Sequence, residues 1–339
     1  MSRPLYQYLT VGFVAAGCKN RCRHCSASAN TSAPELLTLE QMAGAMETLK
    51  AENAKRPRFW GKINLGLLYE PMDHPNIVDI QRLFYELNPE APLVKTVATN
   101  GYRIATDPRY AKLVNDLHQY GAKRFQLTLH GLEQSHDWFA GRRGAYSDLL
   151  EAARRLSRCG AKINWIYFLN RRNMSECTEV IASARSASQE TETEECISLW
   201  GPSGRGARQA QWRVKYADVE ALPHDIREMR WLPEYRPERE WVEQALSGEM
   251  QRSLAAFYDH ARAAGGIPDC SLWVDQDNLG QFAALLAEKR KEAQPEKEPT
   301  KHDEEDLAWL ASTYGQDEDA LYRVSTMKHE WTRRQREEG

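Results

Sequence analysis

The feature that most constrains the fold is a regular alternation of short apolar segments and longer helix-like segments over residues 9–200. Six apolar segments have the length of a strand, and a segment with helical spacing follows at least the first five. This order predicts parallel βαβ units, and near-continuous apolar strands are typical of sheets covered on both faces. Strands are predicted at residues 9–15, 63–69, 94–99, 125–129, 163–169 and 196–200, and helices at 38–49, 77–87, 107–118, 147–157 and 175–187.

The start of the first helix carries a local signal of its own. Thr38 is followed three residues later by Gln41, which is the pattern of a capping box. The rhythm changes after Gly201, and the remainder predicts helical or irregular structure at 212–248, a helix at 249–264 and a strand at 270–274. We therefore divide the chain into a barrel domain (1–210), a C-terminal extension (211–287), a charged linker (288–305) and a helical tail (306–339) that packs back on the main body.

Composition excludes several classes of protein. The 339 residues are 42% apolar and 27% charged, as in globular proteins, and the formal net charge of −3 does not suggest a nucleic-acid binder. No apolar run approaches the ~18 residues of a membrane span, and the N-terminus lacks the apolar core of a secretory signal. The sequence predicts a cytoplasmic protein without a membrane segment.

Three of the seven cysteines fall within eight residues, at Cys18, Cys22 and Cys25. An odd number of cysteines in a chain without an export signal argues against a disulfide framework. The C-x3-C-x2-C spacing on one loop after a strand would let three thiolates hold three irons of a cubane, leaving the fourth iron open to a small molecule. Two alternatives remain: a zinc site with His24 as fourth ligand, and cysteines that bind no metal.

This loop resembles the cluster loop of the radical S-adenosylmethionine (radical SAM) superfamily. The resemblance implies one 4Fe-4S cluster held by Cys18, Cys22 and Cys25, and S-adenosylmethionine chelated by the open iron through its amino and carboxylate groups. It places His24, the residue before the third cysteine, near the adenine. The implied fold is α/β, a partial parallel (β/α)6 TIM-like barrel with an α-rich C-terminal extension.

Further segments resemble the superfamily in the expected order along residues 8–210. Residues 68–75 (LYEPMDHP) are similar to its Gly-Gly-Glu-Pro-x-x-His-Pro stretch, with Leu68 and Tyr69 in place of the two glycines and Glu70 as the carboxylate for the cationic amino group. Residues 99–101 resemble its Thr-Asn-Gly, which includes Asn100. Residues 125–131 resemble its Ser-Leu-Asp-Gly strand, where Thr128 keeps the hydroxyl of the serine.

Two more matches leave a choice of residue. The segment after His136 resembles the superfamily's His-Asp…Arg…Gly-Ser-Phe, and either Arg142 or Arg143 would pair with the carboxylate of S-adenosylmethionine. Residues 163–173 resemble the fifth strand, whose asparagine bonds the ribose, and Asn170 and Asn173 are both candidates. Residues 201–206 resemble the glycine-rich turn after the sixth strand.

Two residues are candidates for the step after cofactor cleavage. His130 occupies the position of the usual aspartate and is an acid, base or hydrogen-bond donor if it lies beside the substrate. Residues 268–278 are similar to the start of the auxiliary-cluster domain (SPASM or twitch) that follows many such barrels. A single cysteine, Cys270, cannot hold a second cluster, so this region is predicted to be a degenerate remnant, and Cys270 is a candidate hydrogen-atom donor.

The predicted chemistry is reductive cleavage of S-adenosylmethionine to a 5′-deoxyadenosyl radical that takes hydrogen from an unreactive carbon. The electron would come from a one-electron reductant such as flavodoxin or ferredoxin. We expect a small-metabolite substrate in natural-product biosynthesis, such as a sugar, nucleoside or amino acid, because little chain precedes the first strand. A peptide substrate is the alternative, and a non-catalytic zinc or iron–sulfur regulatory protein is a remote one.

Overall fold

The computed structural model describes residues 6–14, 17–25, 36–55, 60–67, 69–189, 191–199, 211–237, 239–240, 243, 270–292 and 321–323. In this part of the chain, strands and helices alternate up to β6, and shorter elements follow. The elements are β1 (Tyr6–Phe13), α1 (Leu39–Lys55), β2 (Trp60–Leu67), α2 (Ile77–Leu87), α3 (Pro92–Lys95), β3 (Thr96–Ala98), α4 (Tyr102–Thr106), α5 (Tyr110–Gln119), β4 (Arg124–Leu129), α6 (Glu133–Ala140), α7 (Ala145–Arg158), β5 (Lys162–Leu169), α8 (Cys177–Ala187), β6 (Thr193–Leu199), α9 (Tyr216–Glu220), α10 (His224–Arg227), β7 (Tyr235–Pro237), β8 (Cys270–Val274), α11 (Phe282–Glu292) and β9 (Leu321–Arg323).

The strands form the two sides of a parallel barrel that is not closed. One sheet has the strand order β2-β1-β8, and the other has the order β3-β4-β5-β6, with every pair in both sheets parallel. Each sheet has its own apolar core, and the side chain of Leu67 at the end of β2 packs against both cores. The predicted partial (β/α)6 barrel is therefore confirmed.

The predicted helices and strands are present at all eleven positions up to β6, with ends shifted by a few residues. The predicted capping box is confirmed, since the Thr38 amide donates to Gln41 Oε1 at 2.8 Å and the Gln41 amide donates to Thr38 Oγ1 at 3.2 Å. The strand predicted at 94–99 is shorter, because a helical turn, α3, occupies its first two positions.

The C-terminal region differs more from the predictions. The strand predicted at 270–274 is present as β8, but it pairs in parallel with β1, from Leu9 opposite Cys270 to Phe13 opposite Val274, and so adds to the barrel sheet. The first five residues of the predicted linker 288–305 are the last turn of α11. Residues 321–323, predicted to be helical, form β9 antiparallel to β7, because their backbone groups pair with that strand.

The tail does pack on the main body where the structure describes it. Leu321 is buried, and its amide donates to the carbonyl of Val214 at 2.8 Å. Several predictions lie outside the described residues: the glycine-rich turn at 201–206, the helix at 249–264, and most of the linker and tail. Within the described residues, no helix is both long and apolar enough to cross a membrane.

Candidate functional site

A cavity of about 340 Å³ lies at the C-terminal ends of β1, β2, β3 and β4. Active sites of parallel barrels occupy this end, because the loops that follow the strands meet there. All three clustered cysteines line the cavity, together with His24, Glu70, Asn100, Thr128 and His130. The structure therefore brings together eight of the thirteen site residues predicted from sequence. The other five are Arg142, Arg143, Asn170, Asn173 and Cys270.

The cysteine loop is fixed to the helix that follows β4. The amides of Arg21 and Arg23 donate to the carbonyls of Ala140 and Phe139 at 2.7 and 2.9 Å. Gly141 packs so closely on this loop that a Cβ would lie 2.7 Å from the carbonyl oxygen of Arg21. These main-chain contacts hold the loop in place without using a cysteine side chain.

The thiols have high proton affinity in the metal-free protein. Burial, with a smaller contribution from the Glu70 carboxylate, raises the pKa of Cys18 to about 11. Burial and the two neighbouring thiols raise the pKa of Cys22 to about 12. Both are therefore protonated at neutral pH, and a metal that binds them must displace these protons. Among the described residues, no three His, Cys, Asp or Glu side chains stand close enough to share one metal ion.

Glu70 is a buried carboxyl held by neutral donors. Its Oε1 accepts a hydrogen bond from Thr99 Oγ1 at 2.6 Å, and its Oε2 accepts one from the Asn100 amide at 2.5 Å. Burial nevertheless raises the pKa of Glu70 to about 8, since those hydrogen bonds do not offset the loss of hydration. Asn100 also connects this carboxyl to the cysteine loop, because its Nδ2 lies 3.5 Å from Cys18 Sγ.

Tyr69 adopts a backbone conformation that favours glycine. Its φ is +74°, and it lines the cavity immediately before Glu70. A bulky residue in the left-handed region costs roughly 1–2 kcal/mol. Tyr69 occupies the position of the second glycine in the sequence resemblance, so the chain keeps the glycine conformation although it lost the glycine. The predicted departure from the motif therefore leaves Glu70 facing the cavity.

The two arginine candidates are separated by the structure. Arg142 is half-buried, with Nε donating to Asn20 Oδ1 at 2.7 Å and Nη1 paired with Asp148 at 2.5 Å. Asn20 itself lines the cavity, and Arg142 Nη2 is buried without a hydrogen-bond partner in the described part of the chain. Arg143 is exposed, and both arginines line a second depression on the outer surface, so burial and the bond to Asn20 are what distinguish Arg142.

The two asparagine candidates are also distinguished. Asn173 uses its whole amide internally, donating to the carbonyls of His130 and Phe168 at 2.9 and 3.0 Å and accepting from the Asn170 amide at 2.8 Å. Asn170 uses only its oxygen, which accepts from the Arg172 amide at 2.9 Å. Its Nδ2 is buried with no partner among the described residues. Neither side chain lines the cavity.

Three histidines form a stack along one wall of the cavity. The ring of His130 lies 4.6 Å from that of His24 and 5.3 Å from that of His136, centroid to centroid. The His130 amide donates to His136 Nδ1 at 3.1 Å, which fixes the tautomer of His136. Burial lowers the pKa of His24 and His136 to about 4 and that of His130 well below its ordinary value. All three rings are neutral at pH 7.

Cys270 is not brought to this site. It is the first residue of β8, at the end of the sheet opposite the cysteine loop. Four residues of strand at ~3.3 Å each put it roughly 13 Å from the end that faces the cavity. This distance argues against the predicted role of Cys270 as a hydrogen-atom donor, and we do not retain that role.

Sequence reasoning missed four residues of the site. Asn20 connects Arg142 to the cavity, Thr99 holds Glu70, His136 holds the backbone of His130, and Tyr69 takes a left-handed conformation. Thr99 and His136 belong to segments that resemble motifs of the superfamily. Their place in those motifs could have indicated that they belong to the site. Nothing in the local sequence indicates that Asn20 bonds to an arginine 122 positions away.

Comparison with known families agrees with this site. The family model of the radical SAM superfamily matches residues 13–184, which is half of the chain and includes β1 to β5 and the cysteine loop. The chain belongs to the radical SAM superfamily. The cofactors of that superfamily are a 4Fe-4S cluster and S-adenosylmethionine.

Solved structures with a similar fold include SuiB of Streptococcus suis bound to its precursor peptide SuiA, at 15% identity and a TM-score of 0.46, covering 74% of this chain and 48% of that one. Native anSMEcpe with bound AdoMet matches at 14% identity and a TM-score of 0.46, and the match covers 71% of this chain and 62% of that one. Coproporphyrinogen III oxidase (HemN) of Escherichia coli matches at 17% identity and a TM-score of 0.36, and the match covers 64% of this chain and 48% of that one. The chain spans about half the length of SuiB and HemN, and no curated protein matches its sequence.

Proposed function

We propose that this chain cleaves S-adenosylmethionine reductively and uses the product radical to take hydrogen from a small metabolite. The observation that carries the proposal is the shared cavity of three clustered thiols and one buried carboxyl that has no cationic partner among the described residues. The thiols suit a cluster, and the carboxyl suits the ammonium group of the cofactor.

The donor set supports a cubane with one open iron. Cys18, Cys22 and Cys25 supply three thiolates from one loop, and a cubane offers each of them a separate iron. We therefore assign these three residues as the cluster ligands. In such a site the fourth iron would be open to the cavity, which Glu70 and Asn100 also line.

Glu70 is assigned to the amino group of S-adenosylmethionine. A carboxyl whose pKa is raised to about 8 by burial is stabilised as the anion when a cation takes a place beside it. Thr99 and the Asn100 amide hold both carboxyl oxygens, so Glu70 cannot turn away to solvent. Its hydrogen-bond donors thus orient the carboxylate before the cofactor arrives.

The remaining contacts to the cofactor are assigned to buried polar atoms that have no hydrogen-bond partner among the described residues. Arg142 Nη2 and Asn170 Nδ2 are buried donors with no partner in the described part of the chain, and a buried donor left unsatisfied costs ~1–3 kcal/mol. We assign Arg142, rather than Arg143, to the carboxylate of the cofactor and Asn170, rather than Asn173, to the ribose. Thr128 and His24 line the same cavity as further contacts for the cofactor.

When bound, the cluster and S-adenosylmethionine supply a 5′-deoxyadenosyl radical by one-electron cleavage of a carbon–sulfur bond. The chain's own residues position the cofactor and exclude water from it. The neutral stack of His24, His130 and His136, closed by Phe139 and Phe168, forms a dry wall beside the cavity. His130 Nδ1 is buried without a partner in the described residues, so it can hydrogen-bond to a substrate.

The cavity supports a small substrate. Its volume of about 340 Å³ is near the lower end of the range for small-molecule sites, roughly 300–1,000 Å³, and the cofactor shares that space. A sugar, nucleoside or amino acid fits such a space more readily than a folded peptide segment. His130 would then face a polar group of this metabolite.

The proposal is tested with anaerobically reconstituted protein, dithionite and S-adenosylmethionine. We expect methionine and 5′-deoxyadenosine in equal amounts, and we expect Glu70→Gln to weaken binding of S-adenosylmethionine while the iron content stays unchanged. The control is Glu90→Gln, an exposed glutamate outside the cavity. Intact S-adenosylmethionine after full cluster reduction would contradict the proposal.

The substrate class is tested separately with deuterated candidates. A small metabolite that is the substrate passes deuterium into 5′-deoxyadenosine, whereas the same metabolite without deuterium does not label it. Deuterium transfer from a labelled peptide, and from none of the labelled sugars, nucleosides or amino acids, would overturn the small-substrate assignment and leave the cleavage chemistry in place.

A further inference from the structure

The outer face of the cysteine loop carries cations between its ligands. Along residues 18–25 the cysteines line the cavity, whereas Lys19, Arg21 and Arg23 are exposed. Arg21 and Arg23 are the covalent neighbours of Cys22. The loop thus presents thiols to the inside and positive charge to the outside.

Two further arginines from other loops extend this surface, which we call the arginine patch (Arg21, Arg23, Arg143, Arg172). Trp138 of α6 organises it, because the guanidinium carbons of Arg23 and Arg172 each lie 4.1 Å from its ring centroid. Arg23 Nε also donates to the carbonyl of Trp138 at 3.0 Å. Arg143 lines the same depression of about 580 Å³ as Arg23 and Trp138.

The arginine patch is not neutralised by the described part of the protein. None of the ion pairs there includes a residue of the patch, whereas several other exposed basic residues are paired, such as Arg185 with Glu195 at 2.7 Å and Lys112 with Asp116 at 2.6 Å. Two acids share the depression: Glu133, which is exposed, and Asp137, whose oxygens accept the amides of Gly144 and Tyr146. Positive charge therefore dominates.

This local charge contrasts with the whole chain, whose formal net charge is −3. No residue lines both the depression and the cavity, although Arg142, which lines the depression and is not part of the patch, reaches the cavity through its hydrogen bond to Asn20. The patch is therefore a second surface on the other side of the cysteine loop, suited to a partner and not to the substrate. Arginines that stack on an aromatic ring are weakly hydrated and are enriched at interfaces.

We propose that the arginine patch is the docking surface for an acidic one-electron carrier protein. This inference rests on the proposed function, since that function requires one electron to reach the site behind Cys22. The carrier loses one electron and the cluster gains it, and no bond forms or breaks. Complementary charge speeds the encounter of such proteins ~10–1,000-fold at low salt.

The test uses reconstituted full-length protein and a flavodoxin as the carrier, under anaerobic conditions. In the patch variant R21E/R172E we expect the affinity for oxidised flavodoxin at low ionic strength to fall at least tenfold. Electron transfer from reduced flavodoxin should slow by a similar factor. The control K123E/R158E makes the same charge change at the N-terminal ends of β4 and β5, on exposed residues, and should change both values less than twofold.

Measurements at high salt and with a milder variant test the same docking surface further. The difference between wild type and the patch variant should shrink at 0.5 M salt, where exposed charges are screened. If R21E/R172E folds poorly, R21Q/R172Q should show a smaller loss of affinity in the same direction. Equal losses in the patch and control variants, or wild-type affinity in both patch variants, would overturn the docking surface.

Dithionite separates this inference from the proposed function. This small reductant needs no docking surface, so the patch variant should cleave S-adenosylmethionine with it at the wild-type rate. A patch variant that fails with dithionite contradicts a pure docking role. If wild type itself does not cleave with dithionite, the proposed function fails, whatever the affinity for flavodoxin.

Discussion

The two walls of the cavity differ in how their polar side chains are used. The wall formed by the loops after β1 and β2 contains two half-buried thiols with raised pKa values, a buried carboxyl without a cationic partner among the described residues, and a tyrosine in a left-handed conformation. The wall formed after β4 and β5 is supported from behind by Asn173, whose amide is fully hydrogen-bonded, and contains His136, which supports the backbone of His130.

The difference shows which side chains are available to bind a ligand and which support the fold. The first wall holds thiols and a carboxyl that suit a metal and a cation, which costs stability in the absence of ligand and favours ligands that satisfy them. In the second wall Asn173 and His136 hold the backbone in place. In contrast, His130 Nδ1, Arg142 Nη2 and Asn170 Nδ2 are buried without a partner among the described residues. Substitutions of the first-wall residues and of these three side chains should therefore change ligand binding, and substitutions of Asn173 or His136 should change folding.

The largest effect is expected from the cysteines of the first wall. Replacing Cys18, Cys22 and Cys25 together with alanine should lower the bound iron from about four per chain, the content of one cubane, to none. Iron and sulfide analysis after anaerobic reconstitution measures this. The control is Cys159→Ala, a half-buried lone cysteine at the end of α7. A full cluster in the triple variant would refute the ligand assignment, and about eight irons in wild type would refute the prediction of a single cluster.

The next effect is the pH dependence caused by Glu70. Its pKa rises from an ordinary 4.5 to about 8 on folding, so the folded state retains the proton that the unfolded state has lost. Stability therefore falls by up to ~1.4 kcal/mol per pH unit as the pH rises between these values. Glu70→Gln stays neutral and should remove this fall.

Urea denaturation of the metal-free protein at pH 5, 6, 7 and 8 gives the comparison. The free energy of unfolding of Glu70→Gln minus that of wild type should grow with pH, because the neutral histidines titrate in both proteins and cancel. A difference that does not change with pH would mean that Glu70 already has a compensating charge.

A smaller effect is expected in the second wall. Asn173→Ala removes two donated hydrogen bonds and one accepted bond at a fully buried position, and should lower the free energy of unfolding by ~3 kcal/mol. Asn170→Ala removes one accepted bond and should cost less, while it weakens binding of S-adenosylmethionine. Denaturation and binding measured on both variants check this, and the reverse order of stabilities would contradict the division between the supporting Asn173 and the ligand-binding Asn170.

The smallest effect concerns Tyr69. Tyr69→Gly and Tyr69→Ala both remove the ring, but only alanine keeps the penalty of a positive φ. The glycine variant should therefore be more stable than the alanine variant by ~1 kcal/mol in urea denaturation. The reverse order, in which alanine is favoured as it is at ordinary positions, would show that Tyr69 carries no backbone strain.

The sequence predicted the alternation of elements and the cavity's main residues because both depend on local patterns. The strand period, the helix caps and the cysteine spacing each involve residues that lie within a few positions of one another in the sequence. The place of β8 beside β1, the pairing of β9 with β7 and the choice of Arg142 over Arg143 depend on contacts between distant segments. Charge and hydropathy alone cannot distinguish two adjacent arginines of which one is half-buried and the other is exposed.

The pairing of β8 with β1 has a consequence for how the chain is made. Leu9 lies beside Cys270, about 260 positions later in the chain. At roughly 5–20 residues per second, a ribosome needs ~13–50 s to deliver that neighbour after it has made β1. During this interval one edge of β1, the strand that leads into the cysteine loop, has no partner. Contacts this distant in sequence also slow folding, so β8, whose described strand pairing is with β1 alone, should be the last strand of the barrel to gain protection from amide hydrogen exchange.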